Sequence, residues 1–479
     1  MKPQDPTHFR DRIATVDAKG GRVWVHPKRV KGRYMNRRTA LSWVLLAFLF
    51  AGPWLRIGGE PLLLLNIVER KFVLLGQVFW PQDGFLFALA MITFFVAVIV
   101  FTVVYGRIFC GWICPQTVFL EFVFRPIERW LEGDRAARMR RDAGPWDADK
   151  MLRKGAKWAI YFAVSFAIAN TFLAYLIGSE ELLRIQLEPP AEHLSGLGAL
   201  LAFTTVFFWV FARLREQVCT TICPYGRLQG VLVDADTLNV TYDRVRGEPR
   251  RPLRAAGAEA GSGDCVDCGL CVQVCPTGID IRNGLQLECV HCTACIDACD
   301  GVMDKVKRPR GLIRYASENS IARGEPFRWT TRAKAYSAVL IVLLGVLGGL
   351  IFMRDAVQMN IYRTAGMVYQ VDDAGEVSNL YRFTLLNKTR DSLLVEIWPE
   401  DERFRVEPVG ERVAADASGH GGGLWVAPEE MTEGVFFLKA SGATLAAAKN
   451  KVRLVCSQGD RVVARATTEF PGPIPSSGN

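Results

Sequence analysis

Twelve of the 13 cysteines stand in patterns that can hold metal. Between Cys265 and Cys299 the run DCVDCGLCVQVCPTG is followed by ECVHCTACIDACDG, so Cys-x2-Cys-x2-Cys-x3-Cys is written twice. Three thiolates at this spacing wrap one iron–sulfur cube, and in two-cluster bacterial ferredoxins the fourth ligates the other run's cube. The pattern therefore pairs Cys265, Cys268 and Cys271 with Cys299 on one [4Fe–4S] cluster. Cys289, Cys292 and Cys295 pair with Cys275 on the other. The first run ends in Cys275-Pro276 and the second in Cys299-Asp300, a small departure that keeps the ligand count. Zinc knuckles also use Cys-x2-Cys steps, but a zinc site takes four ligands and two identical runs of four favour iron and sulfur.

The remaining set is also duplicated. RIFCGWICPQ and REQVCTTICPYGR each carry Cys-x3-Cys-Pro, giving Cys110 with Cys114 and Cys219 with Cys223. Helical positions i and i+4 share a face, so each pair can chelate one ion. Pro115 and Pro224 then disturb or end the helix beside the thiols. If the two helices are neighbours, four thiolates converge on a soft site suited to Cu(I), zinc or another iron–sulfur cluster. Arg107 and Arg215 precede the two motifs and are placed to lower thiol pKa values. His291 lies between cluster ligands and reads as a packing residue. His8, His26, His193 and His420 are scattered, and no glycine-rich loop after a strand offers a seat for a nicotinamide or flavin.

The elements that must position these thiols follow from hydropathy. The chain has 479 residues, 50% hydrophobic and 22% charged, a combination that requires apolar residues to be gathered into blocks. Five stretches, 39–57, 85–105, 158–178, 194–212 and 335–353, are long enough to cross a hydrocarbon core, which takes about 20 apolar residues. The first is interrupted by Gly52-Pro53 and Arg56. Some forty polar residues come before it, unlike the layout of a cleavable signal peptide. Lys and Arg number 11 before residue 39, 11 over 106–157 and 18 over 213–334, but two over 58–84. The positive-inside rule then puts the N-terminus, the 106–157 loop and the ferredoxin segment in the cytoplasm, with the C-terminal 120 or so residues on the far side. The net charge of +9 is mostly this topology signal, and no aromatic-interleaved basic patch speaks for nucleic acid. Cys456, beyond the last span in KVRLVCSQ, reads as a buried, inert thiol.

The expected organisation is multi-domain: a polytopic α-helical membrane domain of about five spans, a two-cluster ferredoxin-like α+β domain and a C-terminal immunoglobulin-like β-sandwich. Residues 1–38 read as a basic cytoplasmic tail and 39–246 as the membrane domain with four spans and both Cys-x3-Cys-Pro motifs. Within it, 61–82 reads as a re-entrant or interfacial piece, and 121–141 as an amphipathic helix on the membrane surface. A Gly/Ala/Pro/Arg linker over 247–263 would loosely tether the ferredoxin-type domain at 264–334. The fifth span follows at 335–353. Over 361–470, short β-branched and aromatic runs such as YRFTLLN, LLVEIW and GVFFLKA alternate with turn residues, as in a sandwich. PGPIPSSGN reads as a disordered tail.

Taken together, FWPQDG (79–84), GRIFCGWICPQT (106–117), REQVCTTICPYGR (215–227), DADTLNVTYDRVRGEPR (234–250), the ferredoxin block through DACDGVMDK (to 305) and PRGLIRYASEN (309–319) resemble the CcoG/FixG/RdxA family of cytochrome c oxidase accessory proteins. The resemblance runs from about residue 9 to 470, more loosely in the C-terminal part. It implies a multi-pass polyferredoxin of the bacterial inner membrane, with two [4Fe–4S] clusters, a cytoplasmic ferredoxin domain and a periplasmic immunoglobulin-like domain. It also implies reduction of Cu(II) to Cu(I) during assembly of the cbb-type cytochrome c oxidase. By that resemblance Cys110, Cys114, Cys219 and Cys223 form the copper or redox site. The partners would be oxidase assembly factors, copper chaperones and an unknown electron donor. The rival expectations are a quinone-linked electron-transfer subunit and a non-enzymatic assembly scaffold.

Overall fold

The computed structural model describes residues 14–17, 19–67, 71–74, 76–79, 84–252, 263–326, 328–353, 355–364, 369–373, 375–389, 391–409, 413–414, 423–428, 430–442, 445, 447 and 449–473. His8, His420, the Trp80–Asp83 part of FWPQDG, most of the 247–263 linker and the end of the C-terminal tail lie outside them. The chain folds into two compact units, Met1–Leu347 and Gly348–Asn479.

Among the described residues five helices are long and apolar enough to cross a membrane: Gly84–Tyr105, Ile108–Glu132, Ala148–Ile177, Pro190–Leu214 and Thr331–Phe352. Four of them fall on expected stretches. The first expected span does not. In place of 39–57 the helix is Arg33–Ala51, and it lies outside the set of five. Its start is fixed from a distance: the Asp297 carboxylate accepts from the backbone N–H groups of Tyr34 (3.2 Å) and Met35 (2.7 Å). That cap satisfies first-turn donors no helix can satisfy itself and draws Arg33, Arg37 and Arg38 into the helix. Past Ala51 the chain turns into a two-stranded ribbon, Arg56–Ile57 with Glu60–Pro61.

The 121–141 stretch is likewise not one surface helix. Ile108–Trp112, Pro115–Val118, a π-helical turn Phe119–Phe124 and Arg125–Glu132 run on as one rod. Pro115 and Pro126 both occupy first-turn positions, where a missing N–H costs nothing. Gly133, with φ 85°, ends the rod, and Arg135–Ala143 is a separate helix. The 61–82 piece contains a small antiparallel meander of Leu63–Asn66, Lys71–Leu74 and Gln77–Phe79.

An aromatic core joins these helices: Phe124 stacks on Phe211 at 4.6 Å, Phe119 meets Phe207 and Phe211 edge-on, and the Tyr161 hydroxyl donates to the Phe124 carbonyl at 2.9 Å. Beside it Glu128 is buried between Arg215 (2.9 Å), Arg138 (2.8 Å) and Lys157 (3.8 Å). Charges so deep persist only because each is paired.

The ferredoxin block is built on strands Asn239–Tyr242 and Ile313–Ala316, paired antiparallel, and on helices Leu270–Gln273 and Ala294–Lys305. Ile279, Ile281, Ile296, Met303, Leu312 and Ile313 fill its core. It is not a loosely tethered module. Besides the Asp297 cap, Lys28 N–H donates to the Gln273 carbonyl and Leu238 N–H to the Val104 carbonyl, so the basic N-terminal segment and the Gly84–Tyr105 helix both pack on it.

In the second unit, Phe404–Val409, Met431–Ser441, Glu376–Asn387 and Val357–Arg363 form one sheet in that order; Val413–Ala414, Gly423–Val426, Leu393–Pro399, Lys449–Gln458 and Arg461–Pro471 form the other. Alternating residues such as Val377, Tyr381, Phe383 and Leu385 face the core, meeting Leu454, Cys456 and Phe470 from the opposite sheet. This is the expected sandwich, and Cys456 is buried in it among apolar side chains.

Candidate electron-transfer site

The two cysteine runs fold into matching loops. The residues on either side of the second cysteine of each run have positive φ: Asp267 (50°) and Gly269 (62°) around Cys268, His291 (51°) and Thr293 (62°) around Cys292. Non-glycine residues enter this region at a cost, and such strain collects at functional loops. The third thiols then sit in helices, Cys271 in Leu270–Gln273 and Cys295 in Ala294–Lys305, the latter with Cys299 one turn further on.

The eight thiols divide between two small cavities. One is lined by Cys265, Cys268, Cys271 and Cys299, the other by Cys275, Cys289, Cys292 and Cys295, with Cys271 on the wall between. The crossed sets expected from the spacing are thus brought together. No three of the twelve motif thiols lie mutually within 4.8 Å; among the described residues only Glu188, Glu192 and His193 offer three such ligand atoms. Two groups of four thiols, one from each cavity lining, supply the donor set of two four-iron cubes. Burial pushes the thiols of Cys271, Cys289 and Cys299 up to about 12 and that of Cys292 to about 11. They are protonated when free, so cluster loading must displace protons.

The four membrane-domain cysteines also meet, though not as two i, i+4 pairs on a helix face. Cys110 lies in the helix Ile108–Trp112, whereas Cys114 has extended backbone (φ −55°, ψ 126°) and caps Pro115–Val118. Cys219 sits in the π-helical turn Val218–Ile222, and Cys223, equally extended (φ −66°, ψ 114°), caps Pro224–Leu232. The residue before a proline is pushed out of the helical region, so each second thiol sits on a break. Cys219 is pushed up to about 12 by burial and then by Cys114 and Cys110, with Cys223 also contributing.

This thiol group abuts one of the two ferredoxin sets. Cys110, Cys292, Val274, Val290, Ala294 and Ala298 form one buried cluster, with Cys219, Cys295 and Tyr225 packed against it. The approach depends on glycine. A Cβ on Gly111 would stand 2.4 Å from the Val290 carbonyl oxygen and 2.9 Å from the Cys292 nitrogen; one on Gly106 would meet Asn239 and His291 at 2.6 Å. Arg107 completes the junction. Its N–H donates to His291 Nδ1 (3.0 Å), its Nε to Gln229 Oε1 (2.7 Å) and its Nη1 to the Leu287 carbonyl. Gln229 Oε1 in turn accepts from Cys110 Sγ at 3.4 Å. His291, fully enclosed, is held neutral, its pKa lowered to about 3 by burial and then by Arg107.

His291 is therefore a link between loops and not mere filler, and Arg215 is not a thiol activator: its guanidinium is committed to Glu128 and Glu216. Gly111, Gln229 and Asp297 were not singled out from sequence. A glycine inside each side of a Cys-x3-Cys motif would have been the signal, but only CGWIC carries one.

Comparison with known proteins places the chain. A 4Fe-4S dicluster domain model matches residues 214–318, a 4Fe-4S binding domain model residues 87–133, and a model described as the IG-like fold at the C-terminus of FixG residues 347–473. Nitrogen fixation protein FixG of Rhizobium meliloti (strain 1021) is 34% identical, covering 94% of this chain and 93% of its own. The chain belongs to the FixG/RdxA family. Protein RdxA of Cereibacter sphaeroides is 33% identical over 80% of this chain and 82% of its own. A crystal structure of a FixG-related protein from Vibrio parahaemolyticus, at 17% identity and a TM-score of 0.21, covers 25% of this chain and all of that one. A member of this family with these helices and domains is a membrane iron–sulfur protein of electron transfer. The 87–133 match takes in Cys110 and Cys114, so both halves of the membrane-domain thiol group fall within iron–sulfur family models.

Proposed function

We propose that the protein is a cupric reductase of the bacterial inner membrane, serving assembly of the cbb-type cytochrome c oxidase. Cys265, Cys268, Cys271 and Cys299 would hold one [4Fe–4S] cluster and Cys275, Cys289, Cys292 and Cys295 the other. When bound, such clusters store and release single electrons over a wide range of potential. Cys110, Cys114, Cys219 and Cys223 receive the substrate, a copper ion. Thiolates favour Cu(I) over Cu(II), so the site assists Cu²⁺ + e⁻ → Cu⁺, a step with no obligatory proton. The ferredoxin block would face the cytoplasm and the sandwich the periplasm, where oxidase assembly factors and copper chaperones would take up the product.

The observation that carries this reading is the shared buried cluster of Cys110 and Cys292, with Gly111 packed on the Val290–Cys292 backbone. It gives an electron a packed path from a cluster ligand to the membrane-domain thiols. The test is anaerobic reduction of Cu(II), trapped with a Cu(I) chelator, by wild type and by a variant with all four membrane-domain cysteines changed to Ser. Loss of Cu(I) with cluster spectra intact is expected; undiminished Cu(I) removes the assigned role.

A second reading has its own support. The 4Fe-4S binding domain match over 87–133, with Cys219 and Cys223 inside the dicluster match over 214–318, favours a further cluster at these four thiols, in a protein that relays electrons to a partner. Iron in excess of two cubes, lost in the four-serine variant, would decide for it.

A further inference from the structure

A cavity of about 830 Å³ opens between the Arg33–Ala51 helix, the Ile108–Glu132 rod and the ferredoxin block. Its walls combine three features. Met35, Trp43, Phe122 and Trp130 give it an apolar, aromatic part beside the cationic Lys28, Arg29, Lys31 and Arg129, and Trp43 and Trp130 are exposed on their helices. Arg38 lines it while only 1% exposed: its Nε donates to the Gly111 carbonyl (3.0 Å), but its Nη2 has no hydrogen-bond partner. A buried guanidinium donor left unpaired is costly and calls for an acceptor oxygen. The third feature is Cys292, a candidate cluster ligand, on the same wall.

We propose that this cavity binds a membrane quinol, the electron donor of the protein. Arg38 Nη2 donates to a ring oxygen, the aromatic walls hold the ring and the apolar tail leaves along the two helices. The inference rests on the iron–sulfur reading of Cys292 and its partners. The chemistry balances: QH₂ → Q + 2H⁺ + 2e⁻. The two [4Fe–4S] centres that the eight cysteines would hold could accept one electron each, and Cys292 is the candidate ligand that lines this cavity. The protons pass to the Glu121 and Asp134 carboxylates, which line the cavity, and from there to water. An anionic phospholipid headgroup would use Lys28, Arg29, Lys31 and Arg129, which also line the cavity, but it would make no use of an aromatic wall beside a redox ligand.

The test uses the full chain in nanodiscs. Cluster-free protein is labelled with an azido-quinone analogue, and anaerobic, cluster-loaded protein is mixed with decylubiquinol while its visible iron–sulfur absorbance is followed. Two variants are compared with wild type: Arg38→Met, which removes the donor, and Ala40→Trp, which fills the cavity and keeps the Arg38 residue. Label on peptides 33–51 or 121–134 is expected, falling about ten- to a hundredfold in Arg38→Met and lost in Ala40→Trp. Bleaching by quinol should slow in both variants, with bleaching by dithionite unchanged. Labelling elsewhere, labelling unaffected by both variants, or displacement of the label by phosphatidylglycerol in protein whose clusters dithionite but not quinol reduces would overturn the proposal. Protein that binds the analogue at these peptides but never acquires iron would refute the cluster reading instead.

Discussion

Replacing Gly111 by Ala tests the junction through which electrons are proposed to leave the ferredoxin block. The new Cβ would lie 2.4 Å from the Val290 oxygen, 2.9 Å from the Cys292 nitrogen and 2.9 Å from the His291 carbonyl carbon. Ordinary contact begins near 3.4 Å, so the surfaces must part by about 1 Å, and all three atoms are backbone that no rotamer change can move. Overpacking of this kind costs about 1–3 kcal/mol. The displaced segment carries Cys292 and the acceptor of the Arg107 N–H, so the damage falls on the path between Cys292 and Cys110. Electron transfer weakens exponentially with separation, and the expected result is a several-fold slower single-turnover reduction of Cu(II) at full cluster content. Gly155→Ala is the control: its Cβ meets nothing within 4 Å, and in the helix interior Ala is favoured by about 1 kcal/mol. Wild-type Cu(I) formation by a stable, cluster-replete Gly111→Ala protein would refute the route.

Other consequences concern how the two blocks are held together. Asp297→Ala removes the acceptor for the Tyr34 and Met35 N–H groups; a loss of about 1–3 kcal/mol should appear as a lower denaturant midpoint and faster proteolysis near residue 33. Glu128→Gln leaves Arg138 as a buried cation without its carboxylate and Arg215 with Glu216 alone. About 3–5 kcal/mol should be lost, partly restored by adding Arg215→Met, as read from the yield of folded protein in detergent. His291 is neutral in the fold, with its pKa at about 3 against 6.5 when unfolded. Its stabilisation is therefore complete above pH 6.5 and is lost as pH falls from 6.5 toward 3, on the order of a few kcal/mol. His291→Asn should flatten the acid limb of the pH–stability profile, and an unchanged limb would contradict the assignment.

What could be read from the chain was set by local periodicity and spacing. Two identical cysteine runs set the expected pairing of the thiols by the two-cluster ferredoxin pattern, and two cavities are lined by those sets. The sandwich was legible for a similar reason: Val377, Asn379, Tyr381, Phe383 and Leu385 alternate inward along one strand. Errors arose where distant residues decide. The Arg33–Ala51 helix begins where Asp297, more than 260 residues away, caps it. The 108–132 rod stays continuous because its charged end is neutralised by Arg215, Arg138 and Lys157, pairings that hydropathy does not register. The Cys-x3-Cys spacing alone reads as one helix face, whereas the proline after each motif breaks the helix at Cys114 and Cys223. Gly111 and His291 matter only because two separate loops meet there.

The central claim is that two cubane clusters are held by crossed cysteine sets, one of them against the membrane-domain thiols. Paramagnetic resonance and metal analysis of anaerobically purified, dithionite-reduced protein test it most directly. The account predicts about eight irons in two four-iron centres. Cys268→Ser and Cys299→Ser should abolish the same signal, and Cys292→Ser and Cys275→Ser the other. Zinc in place of iron, or Cys299→Ser silencing the centre that Cys292→Ser silences, would contradict it.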